Sequence, residues 1–325
     1  MIFTTAPQQW TALQRLPIHE RVLALPTEVR DLVHQANLAS GLDAVPCAVE
    51  PDARLRADLS AALQGMPAQV LELVGPLLLG ICLGRGLGSS GVTDIVVDPE
   101  DGRILGCIVL LDVDTFAGHT ANSWASWKEN LPFLAGGVSL DATIAEPEQD
   151  TPANALQFLL LHEFGHVLSA DGNFLPRWWE PVPQLADDAR FAYLDLSWEL
   201  NPLQRFVPRP GLDFDLRGAV DYYGNNKLDN EAILIAYGGL EASDFPSLYG
   251  ATNPYDDFAE CFATWVHSEM LQRPYRLRVD FDGVPQAHLE NFWASARSAK
   301  KRAFMRALFE LAPASANQGD LRCAA

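Results

Sequence analysis

The chain has 325 residues, with 42 acidic against 23 basic side chains and a formal net charge of −19 at pH 7. That length can bury a sizeable core in one large domain or two smaller ones. The negative field repels phosphate backbones and anionic lipid, so neither nucleic acid nor a membrane surface is an expected partner.

The five cysteines, Cys47, Cys82, Cys107, Cys261 and Cys323, are an odd and scattered set without a C-x-x-C pair. They fit a reduced protein whose thiols fill core space. No basic residue precedes Arg15 and no apolar run opens the chain, so no cleaved signal peptide is expected. The longest uncharged apolar run, Leu73 to Gly84, spans 12 residues and contains Gly75-Pro76, too short for a bilayer. The expected location is cytoplasmic.

Residues 1–75 read as an N-terminal helical segment broken by prolines, with helices over Pro26 to Leu38 and Asp52 to Gln64. From Leu77 the pattern changes. Leu77 to Leu83, Val92 to Asp98 and Arg103 to Asp112 are rich in Ile, Val and Leu, and Asp98-Pro99-Glu100-Asp101-Gly102 reads as a hairpin loop. Three consecutive strands of a mainly antiparallel sheet are expected. Gly84-Arg85-Gly86-Leu87-Gly88 lacks both the G-x-G-x-x-G spacing and the Lys-Ser/Thr of a phosphate loop, so it reads as a bend between strands.

Thr151-Pro152 supplies a helix N-cap and a proline at the first helical position, and Asp171-Gly172 supplies a stop. Between them runs Leu159-Leu160-Leu161-His162-Glu163-Phe164-Gly165-His166-Val167-Leu168, an H-E-x-x-H pattern inside an apolar helix. Residues four apart share a helix face, about 5–6 Å between Cβ atoms, so His162 and His166 can reach one metal ion. Neutral imidazole suits zinc. Glu163, a third of a turn away, is placed to take a proton from water at that ion. A buried helix with three polar side chains and no common partner would cost roughly 1–3 kcal/mol for each group left unsatisfied, which favours the metal reading. The pattern resembles that of the zincin metallopeptidases.

Zinc in an open site needs a third protein ligand. The metzincin continuation fails, because Ser169 and Gly172 stand where a Gly and a His would be. Further along, Tyr249-Gly250-Ala251-Thr252-Asn253-Pro254-Tyr255-Asp256-Asp257-Phe258-Ala259-Glu260 offers an Asn N-cap and a Pro at the first helical position. Asp256 and Glu260 are four apart and share a face. Together with the H-E-F-G-H helix, this stretch resembles the Y-x-x-T-N-x-x-E-x-F-A-E pattern of the lethal-factor-like peptidases. The resemblance covers these two segments and implies an α+β zincin-like fold with a mainly antiparallel sheet, an active-site helix and a C-terminal helical part. It implies Asp256 as third ligand where the family usually has Glu, Glu260 as the acid behind a histidine ring nitrogen, and Tyr249 as the phenol facing the reacting carbonyl. Asp is one methylene shorter, so Glu260 stands as the alternative third ligand. Zincins also pair an edge strand with the substrate backbone, and Arg103 to Asp112 is the expected counterpart here.

The expected catalytic domain is 76–312, with an aromatic insertion over 172–245 in which Gln184 to Leu200 reads as helix, and a loose tail over 313–325. Gln286 to Leu311 reads as one or two amphipathic helices whose basic cluster, Arg297, Lys300, Lys301, Arg302 and Arg306, pairs with the protein's own carboxylates. The expected function is zinc-dependent hydrolysis of a peptide or protein substrate with one zinc ion per chain. The alternatives are a non-catalytic zinc-binding regulatory or interaction protein, and a zinc amidase acting on a non-protein amide.

Overall fold

Strands covered on both faces show continuous apolar runs instead of alternation, and that is how Leu77 to Leu83 and Ile104 to Leu111 read. A computed structural model, describing residues 2–4, 7–181, 191–224, 226–289 and 291–311, shows the reason. The chain divides into two units, one of residues 1–120 and 151–170, the other of 121–150 and 171–325.

The first unit begins with β1 (Ile2–Thr4), α1 (Pro7–Gln14), β2 (Val22–Ala24), α2 (Thr27–Ala39), β3 (Cys47–Ala48), α3 (Ala53–Gln64) and α4 (Ala68–Val74). Next come β4 (Leu78–Arg85), β5 (Gly91–Val97) and β6 (Ile104–Asp112). The sheet order is β1-β5-β6-β4-β2, with β3 also on β4. The Asp98–Gly102 turn closes the antiparallel β5–β6 hairpin, Asp98 N donating to Arg103 O at 2.8 Å. The pairs β1–β5, β2–β4 and β4–β6 are parallel, so this sheet is mixed and not mainly antiparallel. Nor do residues 1–75 stand apart, because they supply three of its six strands. Their strands are two or three residues long, too short to stand out from the proline-broken helices around them.

Trp10, Leu25, Val29 and Val33 pack on one sheet face against Leu79, Cys82, Val96, Ile108 and Leu110. Each such side chain contributes about 1.5–3 kcal/mol on burial. After β6 the chain supplies α5 (Ala121–Asn130) and β7 (Val138–Thr143) to the second unit, then α6 (Pro152–Ser169) to the first. α6 starts where Thr151 Oγ1 accepts from Asn154 N at 3.3 Å, and Gly172 beyond its end has φ +78. It is buried almost all round, and it packs on β5, α3 and α4. Gln157 Nε2 donates to Ala62 O at 2.8 Å, tying α6 to α3.

The second unit continues with α7 (Leu194–Ser197), β8 (Trp198–Leu200), β9 (Phe206–Pro208), α8 (Ala232–Ala242) and α9 (Pro254–Trp265). It ends with β10 (Arg276–Phe281), β11 (Val284–Leu289) and α10 (Ala299–Leu311). β7, β10 and β11 form an antiparallel sheet in the order β11-β10-β7. In β10, Leu277 and Val279 are buried while Arg276 and Arg278 point outward, the period-two pattern of a half-covered strand. α9 is the buried centre of this unit. Phe258 on it packs against Phe174, Tyr193 and Phe304, with ring centroids at 4.5, 5.0 and 6.2 Å.

Two helix expectations are corrected. Of Gln184 to Leu200, residues 184–190 lie outside the described residues, and the rest holds one helical turn followed by β8. Of Gln286 to Leu311, the first part belongs to strand β11 and α10 begins only at Ala299. The basic cluster is partly internal: Lys301 Nζ reaches Asp257 Oδ1 at 2.6 Å and Oδ2 at 2.7 Å, with both side chains fully buried. Arg297 Nη1 donates to the carbonyls of Leu240, Ser243 and Phe245. Residues 313–325 lie outside the described residues. Among the described residues no helix is long and apolar enough to cross a membrane.

Candidate metal centre

On α6 the four-residue spacing does what helix geometry requires. His162 Nε2 and His166 Nε2 lie 3.1 Å apart, with ring centroids at 4.8 Å and planes at 79°. Two nitrogens bound tetrahedrally to one zinc at about 2.0–2.1 Å would stand about 3.3 Å apart. The pair therefore already has the separation of co-ligands.

Glu163, 3% exposed, points to the sheet face of the first unit. Its Oε2 accepts from Thr93 Oγ1 at 2.7 Å. Gly91 lies one strand period away on β5, so both residues present the same side of the strand to the helix. Sequence reasoning missed both residues. Seventy positions separate Thr93 from Glu163, and nothing local marks the pairing.

The strand expected to receive substrate as an edge strand, Arg103 to Asp112, is not at an edge. β6 is internal, flanked by β5 and β4. The strand against the helix is β5, and its pairing with β1 covers only Ile95, Val96 and Val97.

In the second unit, the Thr252-Asn253-Pro254 lead-in performs two tasks. Asn253 Oδ1 accepts from the backbone N of Tyr255 and Asp256 at 3.0 Å each, capping α9. Asn253 Nδ2 donates to Asp256 Oδ2 at 2.6 Å, and Thr252 Oγ1 lies 3.3 Å from the same oxygen. The Asp256 carboxylate is thus fixed by the residues that start its own helix.

Glu260, one turn on, is fully buried. Its Oε1 accepts from Lys128 Nζ and its Oε2 from Ser247 Oγ, both at 2.7 Å. Burial pulls the Lys128 ammonium down, but the attraction of Glu260, Glu129 and Asp256 overrides it and the net shift is upward. Burial raises neighbouring Glu129, against the pull of Lys128 and a hydrogen bond from Tyr237 Oη at 2.6 Å.

Tyr249 is nearly buried in the same unit. The Lys128 ammonium stands 4.9 Å from its ring centroid, and Tyr222 meets it edge-on at 4.7 Å. The hydroxyls of Tyr223 and Tyr249 are hydrogen-bonded to each other. Ser247 Oγ, which holds Glu260, also accepts from Gly250 N at 3.0 Å, so Glu260 anchors the turn carrying Tyr249.

Compared with known protein families, curated proteins and solved structures, the chain matches none.

Proposed function

We propose that the chain is a zinc-dependent peptidase of zincin-like fold, with His162 and His166 as ligands of one ion and Asp256, on the resemblance of its segment to the Y-x-x-T-N-x-x-E-x-F-A-E pattern, as the third. The observation that carries the reading is the His162–His166 pair, its Nε2 atoms 3.1 Å apart, beside a buried carboxylate with its own dedicated donor. A histidine pair serving only the core would have no use for a neighbouring Glu163 held by Thr93. Asp256 is favoured over Glu260 as third ligand because both oxygens of Glu260 already accept from Lys128 and Ser247. The shorter Asp side chain is compensated by its anchoring at the start of α9.

A zinc ion held by these residues would supply Lewis-acid polarisation of a scissile carbonyl and would lower the pKa of water at the site to about 7. Glu163 accepts the proton that the attacking water loses and delivers it to the leaving amine as the C–N bond breaks. Thr93 keeps one oxygen of Glu163 fixed while the other takes the proton. Tyr249 donates to the oxygen that gains charge as the carbonyl becomes tetrahedral, a contribution of about 3–4 kcal/mol for a single donor. The strand segment ahead of Ile95 on β5 would receive an extended peptide by backbone pairing.

The test is Glu163→Gln assayed on a broad peptide library alongside the wild type. The variant should keep its zinc and lose turnover. Zinc binding by the wild type without hydrolysis of any peptide would instead favour a non-catalytic zinc protein or an amidase of other substrates.

A further inference from the structure

Lys128 lies on α5, outside both segments that carry the metal and base residues, and the peptidase chemistry above makes no use of it. Its surroundings are unusual for a lysine. The side chain is 12% exposed and ends in an ion pair with the fully buried Glu260. From there its ammonium faces the Tyr249 ring, 4.9 Å from the centroid. A lysine needed only to neutralise Glu260 would have no reason to stand over an aromatic face, and burying it at all requires a partner held in fixed geometry. Glu260 has that geometry, since Ser247 Oγ holds its second oxygen. The same Ser247 accepts from Gly250 N, next to Tyr249. One carboxylate thus fixes both the backbone turn that carries the phenol and the cation that covers its ring.

We propose that Lys128, held by Glu260, is a positioning residue for Tyr249, fixing the ring so that its hydroxyl meets the oxyanion. The assignment rests on the peptidase reading, in which Tyr249 is the donor. A positive charge over an aromatic face attracts the ring electrons. The attraction grows as the phenol oxygen gains negative character while donating to an oxyanion. The interaction is therefore stronger in the transition state than with bound substrate and acts on kcat more than on KM. Tyr222 at the ring edge and Tyr223 at the hydroxyl complete the cage.

The test compares Lys128→Met and Lys128→Arg with wild type in the full-length, zinc-loaded chain. It reads kcat and KM on a cleaved peptide, zinc content, and the ¹⁹F resonance of 3-fluorotyrosine placed at position 249. Lys128→Met should lower kcat about tenfold, as a desolvated cation–π contact allows, with KM within about twofold and zinc unchanged. Its ¹⁹F resonance should move, and Lys128→Arg should restore most of both signals. If Lys128→Met fails to fold because buried Glu260 loses its counter-charge, the Lys128→Met/Glu260→Gln double variant, which removes both charges, is read in the same way. Wild-type kcat together with an unmoved ¹⁹F resonance overturns the proposal. Absence of turnover in the wild type sinks the peptidase reading instead, and the ¹⁹F comparison alone then decides whether Lys128 positions the ring.

Discussion

Gly91 leaves open the space that the Glu163 carboxylate occupies: a Cβ built on Gly91 would stand 2.3 Å from Glu163 Oε1 and 2.9 Å from its Cδ. The backbone there is ordinary strand, so the effect of an added methyl is steric and local. Gly91→Ala should push the carboxylate off its position and lower kcat by about 10²-fold, the usual cost of a 1 Å misplacement at the reacting centre. Zinc content should stay at the wild-type level. Unchanged kcat in this variant would remove Glu163 from the role of base.

Thr93 acts on the same carboxylate from the other side, through the 2.7 Å hydrogen bond to Oε2. A hydrogen bond to a charged group contributes about 1.5–3 kcal/mol. Thr93→Val, which keeps the shape and removes the donor, should cost about 4- to 13-fold in kcat if half of that energy orients the base. Thr93→Ser should recover it. Steady-state kinetics on one peptide separates the two variants.

Asp256 and Glu260 are assigned different work, so their alanine variants should fail differently. Asp256→Ala should lose zinc while the second unit keeps its fold, because the cap from Asn253 to the α9 backbone remains. Glu260→Ala leaves the Lys128 ammonium buried without its partner, a cost of about 3–5 kcal/mol. It should therefore lower the thermal midpoint more than it lowers zinc content. The opposite pattern would exchange their roles.

The Asp257–Lys301 pair, fully buried beside Trp198 Nε1, which donates to Asp257 Oδ2 at 2.9 Å, joins α9 to α10. Asp257→Ala should destabilise by about 3–5 kcal/mol, because it removes the close partner of a buried ammonium and leaves it the longer 3.8 Å contact to Asp244 Oδ1. The Asp257→Leu/Lys301→Met double variant should recover most of that loss. Denaturant midpoints measure both, and a double variant no better than the single would mean that the network specifies the packing of this unit.

His267 gives a pH dependence whose sign is fixed. Its Nε2 lies 2.8 Å from Ile144 O and 3.0 Å from Pro274 O, so it carries the proton and donates. Burial, reinforced by the charge of Arg273, lowers its pKa from 6.5 to about 4. Above pH 6.5 neither the folded nor the unfolded state protonates the ring, and the neutral imidazole contributes its full stabilisation. As pH falls from 6.5 towards 4 the unfolded chain gains a proton that the folded one refuses, and about 3 kcal/mol is lost. Below 4 this residue adds no further loss. Urea unfolding from pH 8 to pH 4 should show that decline, and His267→Gln should flatten it.

What was legible in the sequence was local. The H-E-x-x-H spacing, the Thr151-Pro152 start of α6 and the Asn253-Pro254 start of α9 each depend on residues within one helical turn, and the caps stand where expected. The hairpin at Asp98–Gly102 is equally local. What depended on the third dimension was not legible. Continuous apolar runs identify β4 and β6 as strands, yet they carry no information on direction or neighbour, and β6 lies inside a mixed sheet instead of at the edge of an antiparallel one. β1, β2 and β3 are too short to give a period. Lys128 and Glu260 are 132 positions apart, and a Lys-Glu pair in an aromatic stretch has no signature separating a buried anchor from a solvated face.

Zinc content tests the central claim most directly. The full-length chain, purified without chelator and dialysed against excess zinc and then zinc-free buffer, should retain about one ion per chain, as one three-ligand site requires. His162→Ala, His166→Ala and Asp256→Ala should each retain close to none. A wild-type chain that holds no zinc after this treatment, or single variants that hold as much as the wild type, would contradict a zinc site at these residues.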